Sequence, residues 1–344
     1  MLYHRHFKIS ICLYPQKILL PQFKNAVHLA QNVVSYRMDL NGIGVDSSIM
    51  RPYFIVNPVA GGKKAVEAFE AIADYLRSRS IDFGYVFTSH AGQAGELAEA
   101  AYLSGERFIV AVGGDGTISE TASCLYTKSD VIMGICPFGT GNDFARVLKL
   151  PTEPEAVAEM LLGGVPSPVD IGMANDKPFT NVGGIGFDVD VVINTERYKA
   201  RFHGMLPYLM GIIRSLVHLR HVPVTITADG ESFSDDITIC AVGNGSHFGG
   251  GMAALPEAKA DDGLFDVCVV KRVGVFKLLR LLPSFIKGRH INKSCVRYFR
   301  AAEVTVDCER TPMQLDGELG QYAPVKFRVL PGALTVMLPK ARRQ

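Results

Sequence analysis

Three glycine-rich segments in this chain have the residue types and placement to hold a phosphorylated ligand. Gly113-Gly114-Asp115-Gly116-Thr117 directly follows the apolar run Phe108–Val112. Glycines let a backbone turn tightly and approach an anion with no Cβ in the way. A helix opening after such a turn adds free N–H groups and a positive dipole end. Thr117 and Glu120 have the spacing of a capping box, which predicts a helix starting there. Gly139-Thr140-Gly141-Asn142-Asp143 is placed in the same way after Val131–Cys136. The segment Asn57-Pro58-Val59-Ala60-Gly61-Gly62-Lys63-Lys64 follows Tyr53–Val56. Its two lysines either neutralise phosphate or simply open a solvated helix. None of the segments matches G-x-x-x-x-G-K-[ST] or G-x-G-x-x-G, so neither a Walker nor a Rossmann fingerprint is present. One such turn is weak evidence, but three at strand ends point to phosphate.

Phosphoryl transfer depends on positioning and charge neutralisation, so carboxylates and Mg²⁺ belong near the phosphates. Asp115, Asp143, Asp170, Asp262 and Asp316 are the candidates. An isolated aspartate beside a glycine is usually a turn residue. No H-x-x-x-H pattern or second ligand set suggests zinc.

The elements that must position these groups are legible from 53 to about 170. Strand runs at Tyr53–Val56, Asp82–Thr88, Phe108–Val112 and Val131–Ile135 alternate with helical segments. Continuous apolar strands of this kind are buried on both faces of a parallel sheet. The alternation predicts a doubly wound α/β domain with ligands at the carboxyl ends of its strands. After about 170 the texture becomes mainly antiparallel β: Val222–Thr227, Asp236–Val242, Phe265–Val270, Glu303–Val306, Val325–Val329 and Leu334–Leu338. Helical stretches at 197–219 and 273–289 interrupt it. The expected organisation is an N-terminal extension over 1–49, a nucleotide-binding domain over 50–171 completed by 333–344, and a β-sandwich substrate domain over 172–332. In this reading the last strand returns to the first domain.

The chain has 344 residues, 48% hydrophobic and 20% charged, with a formal charge of +2. That balance is globular and gives no argument for nucleic acid as a partner. Its seven cysteines are scattered without a C-x-x-C pair, which fits a reducing cytoplasm rather than a disulfide framework. No run reaches the ~18–20 apolar residues of a membrane-spanning helix. Residues 1–49 carry no signal-peptide pattern, and they read as a dispensable extension before Met50, with a regulatory arm as the alternative.

Taken in order, NPVAGG (57–62), GGDGT (113–117), PFGTGNDFA (137–145), GNGSHFGGGM (243–252), PEAKADDGLFDV (256–267) and LDGE (315–318) carry a resemblance. The chain resembles the bacterial diacylglycerol kinase-type lipid kinases, relatives of sphingosine and ceramide kinases and, more distantly, of NAD kinases. The resemblance runs from 51 to about 338. It implies ATP bound in a cleft between an α/β domain and a β-sandwich, and Mg²⁺-dependent phosphorylation of a lipid hydroxyl. By the same resemblance Asn57, Gly61, Gly62, Thr88, Gly113, Gly114, Asp115, Gly116, Thr117, Thr140 and Asn142 contact the nucleotide. Lys259, Asp262 and Leu264 match a structural Mg²⁺ loop, while Asp143 and Asp170 are supporting carboxylates. Asp316 and Glu318 match the general-base region, with Asp316 favoured.

A lipid substrate implies a peripheral protein at the inner face of the membrane, and a homodimer remains open. On helix 273–289, Phe276, Leu279 and Ile286 lie on one side, with Lys277, Arg280 and Lys287 on another. These basic residues are either the solvated face of a packed helix or an interfacial patch, where about 1 kcal/mol per basic residue near an anionic leaflet gives weak, reversible attachment. Arg197, Lys199 and Arg201 form a second basic group. A soluble-substrate kinase of the NAD kinase type is the alternative reading.

Overall fold

The computed structural model describes residues 50–199, 201–202 and 206–340; the expectations for 1–49 and 341–344 lie outside them. Strands β1 (Pro52–Val56), β2 (Gly84–Phe87), β3 (Phe108–Gly113) and β4 (Ile132–Pro137) form a parallel sheet in the order β4-β3-β1-β2. Around it run α1 (Lys64–Ser78), α2 (Gln93–Leu103), α3 (Asp115–Leu125), the short α4 (Asp143–Val147) and α5 (Pro154–Gly163). β3 is buried along its whole length, as its unbroken apolar run requires. α1 buries Ala65, Phe69, Ile72 and Leu76, one face at helical spacing.

α3 begins at Asp115, two residues before the expected capping box. Thr117 and Glu120 have other work. Asn57 Nδ2 donates to Thr117 Oγ1 (3.0 Å). Glu120 accepts the backbone N–H groups of Gly92 (2.9 Å) and Ala94 (3.0 Å), holding the start of α2. Tertiary partners outbid the local cap.

The chain then enters β5 (Val165–Ala174), β6 (Lys177–Phe179) and β7 (Val182–Gly186), followed by α6 (Phe187–Lys199) and α7 (Leu206–Val217). β8 (Val222–Ala228), β9 (Glu231–Gly243), β10 (Phe265–Lys271), α8 (Val275–Ile286), β11 (Val296–Ala301), β12 (Glu303–Asp307), β13 (Pro312–Leu315), β14 (Glu318–Tyr322) and β15 (Val325–Leu338) complete it. The pairings of β7 to β14 are antiparallel. The result is an N-terminal α/β lobe joined to a β-sandwich lobe.

Period-two alternation builds two interfaces from single strands. Cys240 and Val242 of β9, with Val267 and Val269 of β10, face the sandwich interior. Ile239 and Ala241, with Cys268 and Val270, face the opposite way and meet Leu278, Leu281 and Phe285 of α8.

The two runs expected as separate strands, Val325–Val329 and Leu334–Leu338, are one strand, irregular between Leu330 and Leu334. β15 pairs with β5 from Ala174↔Phe327 to Val165↔Leu338, so β5 passes straight through the expected boundary at 171/172. Val336 also pairs in parallel with Met133 of β4, which returns the last strand to the first lobe.

Candidate active site

The glycine segments converge at the carboxyl ends of β1, β3 and β4. Gly61 and Gly62 have φ of 59° and 67°, the left-handed conformation glycine adopts cheaply. A Cβ on Gly61 would lie 2.3 Å from the Phe138 carbonyl oxygen, and one on Gly139 would lie 2.2 Å from the Gly114 Cα. The loops therefore touch backbone to backbone, and any larger residue would push them apart. Thr88 is buried after β2, its N–H bonded to the Val56 carbonyl (2.9 Å).

Asn142 serves the loop rather than facing outward. Its Oδ1 accepts from Gly139 N–H (2.9 Å), and its Nδ2 donates to the carbonyls of Pro137 (2.8 Å) and Gly139 (3.1 Å). Thr140 stands exposed at the loop tip. Asn57 likewise links two loops, through Thr117 and the N–H of Val59 (3.2 Å).

Asp115 opens α3 and faces the start of α4. Its Oδ1 accepts from the Phe144 N–H (3.2 Å), and its Oδ2 lies 2.7 Å from where a Cβ on Gly141 would stand. Burial, and then the charge of Asp143, hold its carboxyl above the usual range, against the pull of the α4 backbone N–H groups. Asp143 is 5% exposed; its Oδ2 accepts from Gly250 N–H (2.8 Å), and its Oδ1 has no partner among the described residues. An orphaned, buried carboxylate oxygen beside a second carboxylate suits a divalent cation, which takes oxygen ligands. Asp143, through its Oδ1, thus fits the Mg²⁺ that the resemblance implies, with Asp115 beside it.

The Lys259–Leu264 segment, which the resemblance matches to a structural Mg²⁺, lies apart from these two carboxylates. Both Asp262 oxygens are engaged, one by Leu264 N–H (3.2 Å) and the other by the Arg300 guanidinium, which already supplies a positive charge. Lys259 is exposed. None of the three borders the cavity described below. Among the described residues no group of three or more His, Cys, Asp or Glu has metal-holding geometry.

Asp316 behaves differently from the expected base. Asp316 sits in a left-handed conformation (φ 51°) and is bonded all round. Oδ1 accepts from the N–H groups of Asn181 (2.9 Å) and Val182 (3.1 Å). Oδ2 accepts from Thr180 N–H, Thr180 Oγ1 and Ser119 Oγ, each at 2.8 Å. A carboxylate has about four lone-pair sites, so five donors leave none for a substrate proton. Asp316 is a clamp that joins α3 to the start of β7. The Glu318 side chain borders a groove with Glu120, Lys177 and Asp316. Burial, followed by the charges of Glu120 and Asp316, raises its carboxyl. Asp170 is structural as well: 2% exposed, it accepts from Gly263 and Gly332 N–H groups, both at 2.7 Å, and ties the 256–264 segment to the β15 irregularity.

Asp115, Asp143 and Asp316 meet at the mouth of a 270 Å³ cavity running into the second lobe. Phe187, Val191, Ile212, Phe248, Leu278 and Phe285 make its walls apolar. Sequence reasoning missed Asp188 on the same wall. It is 7% exposed, its Oδ1 has no partner among the described residues, and its Oδ2 accepts from Gln314 Nε2 (3.3 Å). Gln314 in turn accepts from Gly317 N–H (2.8 Å), which couples Asp188 to the Asp316 turn. The available signal was an aspartate inside Val182–Val192, but an acid at a helix start is ordinarily explained by the dipole.

Burial pushes the Asp188 carboxyl up to about 6. A raised carboxyl favours the folded state while it is protonated; this contribution is full below about pH 4 and is lost as pH rises through 6. Asp188→Asn is therefore expected to match wild-type stability near pH 4 and to exceed it above pH 7, by as much as about 2–3 kcal/mol. Urea unfolding at the two pH values measures it; an equal effect at both would remove the buried-charge explanation.

Residues 51–174 match the diacylglycerol kinase catalytic domain, and residues 182–338 match the YegS C-terminal NAD kinase beta sandwich-like domain. A diacylglycerol kinase of Mycobacterium tuberculosis is 33% identical over 294 residues, covering 83% of this chain and 94% of that protein. A probable lipid kinase YegS-like protein of Pseudomonas putida is 32% identical over 287 residues, covering 82% and 94%. A crystal structure of a diacylglycerol kinase from Bacillus anthracis strain Sterne has a TM-score of 0.66 at 24% identity, covering 86% and 98%, which shows the shared fold. Fold and site together define a two-lobed kinase architecture related to that of NAD kinases. The chain belongs to the bacterial diacylglycerol kinase and YegS-like lipid kinase family.

Proposed function

We propose that this chain transfers the γ-phosphoryl group of ATP to the hydroxyl of diacylglycerol or a related lipid alcohol, at the inner face of the membrane. One observation carries the reading. The carboxylates between the glycine loops open directly onto an apolar cavity, so a polar reacting centre adjoins a greasy compartment. An acyl chain fits such walls, whereas a dinucleotide acceptor would leave its polar groups without partners there.

The glycine loops and the start of α3 receive the nucleotide phosphates. A bound Mg²⁺ would supply neutralisation of the phosphate charge. Asp143 would hold it through Oδ1, which has no partner among the described residues. Asp115 accepts the hydroxyl proton as the lipid oxygen bonds to the γ-phosphorus and ADP departs. Burial, the first cause that raises its carboxyl, makes it the more willing acceptor. Asp316 fixes the Thr180–Val182 wall of the mouth, and Asp188 offers its open oxygen to a hydrogen-bond donor on the substrate headgroup.

The test is phosphate transfer from labelled ATP across a panel of diacylglycerol, monoacylglycerol, sphingoid and ceramide lipids, with NAD included. Phosphatidate, or another lipid phosphate, is the expected product. Phosphorylation of NAD with every lipid left untouched would establish the soluble-substrate alternative instead.

A further inference from the structure

The two helices over the cavity are apolar on both sides. α7 turns Tyr208 and Ile212 toward the cavity, while Leu206, Leu209, Ile213 and Val217 are exposed on the opposite face. α8 turns Leu278, Leu282 and Phe285 inward and exposes Phe276, Leu279 and Ile286. Phe276 is 87% exposed and Val217 74%, more than scattered surface residues explain. An amphipathic helix of a globular protein carries charged and polar residues on that face. Both helices pack on the same side of β9 and β10, so both outer stripes point away from the sheet.

The charge on these helices is of one sign. α7 carries Arg214, α8 carries Lys277 and Arg280, Lys287 follows α8, and neither helix contains an aspartate or glutamate. Exposed apolar side chains among cations, with no anions, are the chemistry of a helix lying in an anionic lipid interface. A surface meant for a second copy of this chain would set these cations against themselves.

We infer that the outer faces of α7 and α8 form one docking surface for an anionic bilayer, which seats the cavity against the leaflet. It extends the lipid-kinase reading above, and the choice of a membrane as occupant rests on it. Docked this way, the cavity lies one helix, about 10 Å, from the lipid. A substrate then passes between the helices rather than through water.

The experiment uses the full chain and sucrose-loaded vesicles of phosphatidylcholine with or without phosphatidylglycerol, at low and high salt. The comparison proteins are Phe276→Ser, Phe276→Ser/Ile286→Ser and Lys277→Glu/Arg280→Glu/Lys287→Glu. Wild type is expected to co-sediment with the anionic vesicles, at least tenfold more weakly with neutral ones, and more weakly with salt. The double and triple variants should each lose at least tenfold, with melting temperatures near wild type. Should either multiple variant fail to fold, the single Phe276→Ser change decides, with a loss of several-fold expected. Phosphorylation of a short-chain, monomeric lipid should be unchanged, because none of these side chains lines the cavity. Binding that is equal on neutral vesicles, or unaffected by the variants, overturns the inference. So does a concentration-dependent dimer abolished by the same substitutions. Vesicle binding that follows the pattern while no lipid is phosphorylated would sink the kinase reading and leave the surface standing.

Discussion

Asp115→Asn should lower lipid phosphorylation by roughly 10²–10⁴-fold, the range for a positioned acid–base group. The amide keeps the size of the carboxylate and one acceptor for the Phe144 N–H, so the turn before α3 should survive. Asparagine also removes a buried charge facing Asp143, so melting temperature should hold or rise. Nucleotide affinity should change far less than turnover. ATP affinity, turnover at saturating lipid and thermal melting separate the outcomes. A variant that melts early and loses turnover only in proportion to its unfolded fraction would make Asp115 a turn residue and no more.

Asp316→Ala should fail for the opposite reason. Without the carboxylate, the N–H groups of Asn181 and Val182 and three donors from Thr180 and Ser119 lose their acceptor. A buried donor left unpaired costs about 1–3 kcal/mol. Allowing for water reaching this partly exposed site, a loss of roughly 2–4 kcal/mol is expected. Activity should fall together with stability, and Asp316→Asn should lie between, since its amide keeps one acceptor oxygen but adds donors among donors. Urea unfolding with parallel turnover measurements provides the check. An Asp316→Asn protein of wild-type stability with turnover cut a hundredfold or more would restore Asp316 as the base.

These two aspartates mark how far the sequence could be read. The parallel lobe was legible because β3 and β4 are unbroken apolar runs that nothing but a doubly covered sheet accommodates. The glycine loops were legible because backbone contact between Gly114 and Gly139 excludes larger residues. The partners of each aspartate were not. Asp115 and Asp316 both sit beside glycines, and only the third dimension shows one facing a cavity and the other surrounded by donors 134 to 197 residues away in sequence. Asp170 and Asp188 show the same limit: burial made one a brace and the other an open oxygen, and no local pattern separates them. The β5–β15 ribbon was partly hidden because Pro166, Pro168, Pro331 and Gly332 interrupt the runs that announce a strand.

That ribbon also sets a timetable for the growing chain. Domains generally fold as units while they emerge from the ribosome. The α/β lobe cannot do so completely, because the neighbour of β4 is the end of β15, which is translated after the entire β-sandwich. Until Val336 has been made, β4 is an open edge, the kind of surface that recruits other strands. A gene cut between residues 174 and 182, where the two matched regions part, would make that exposure permanent. The halves should then be soluble only when produced together, since the first lobe is finished by the last strand of the second.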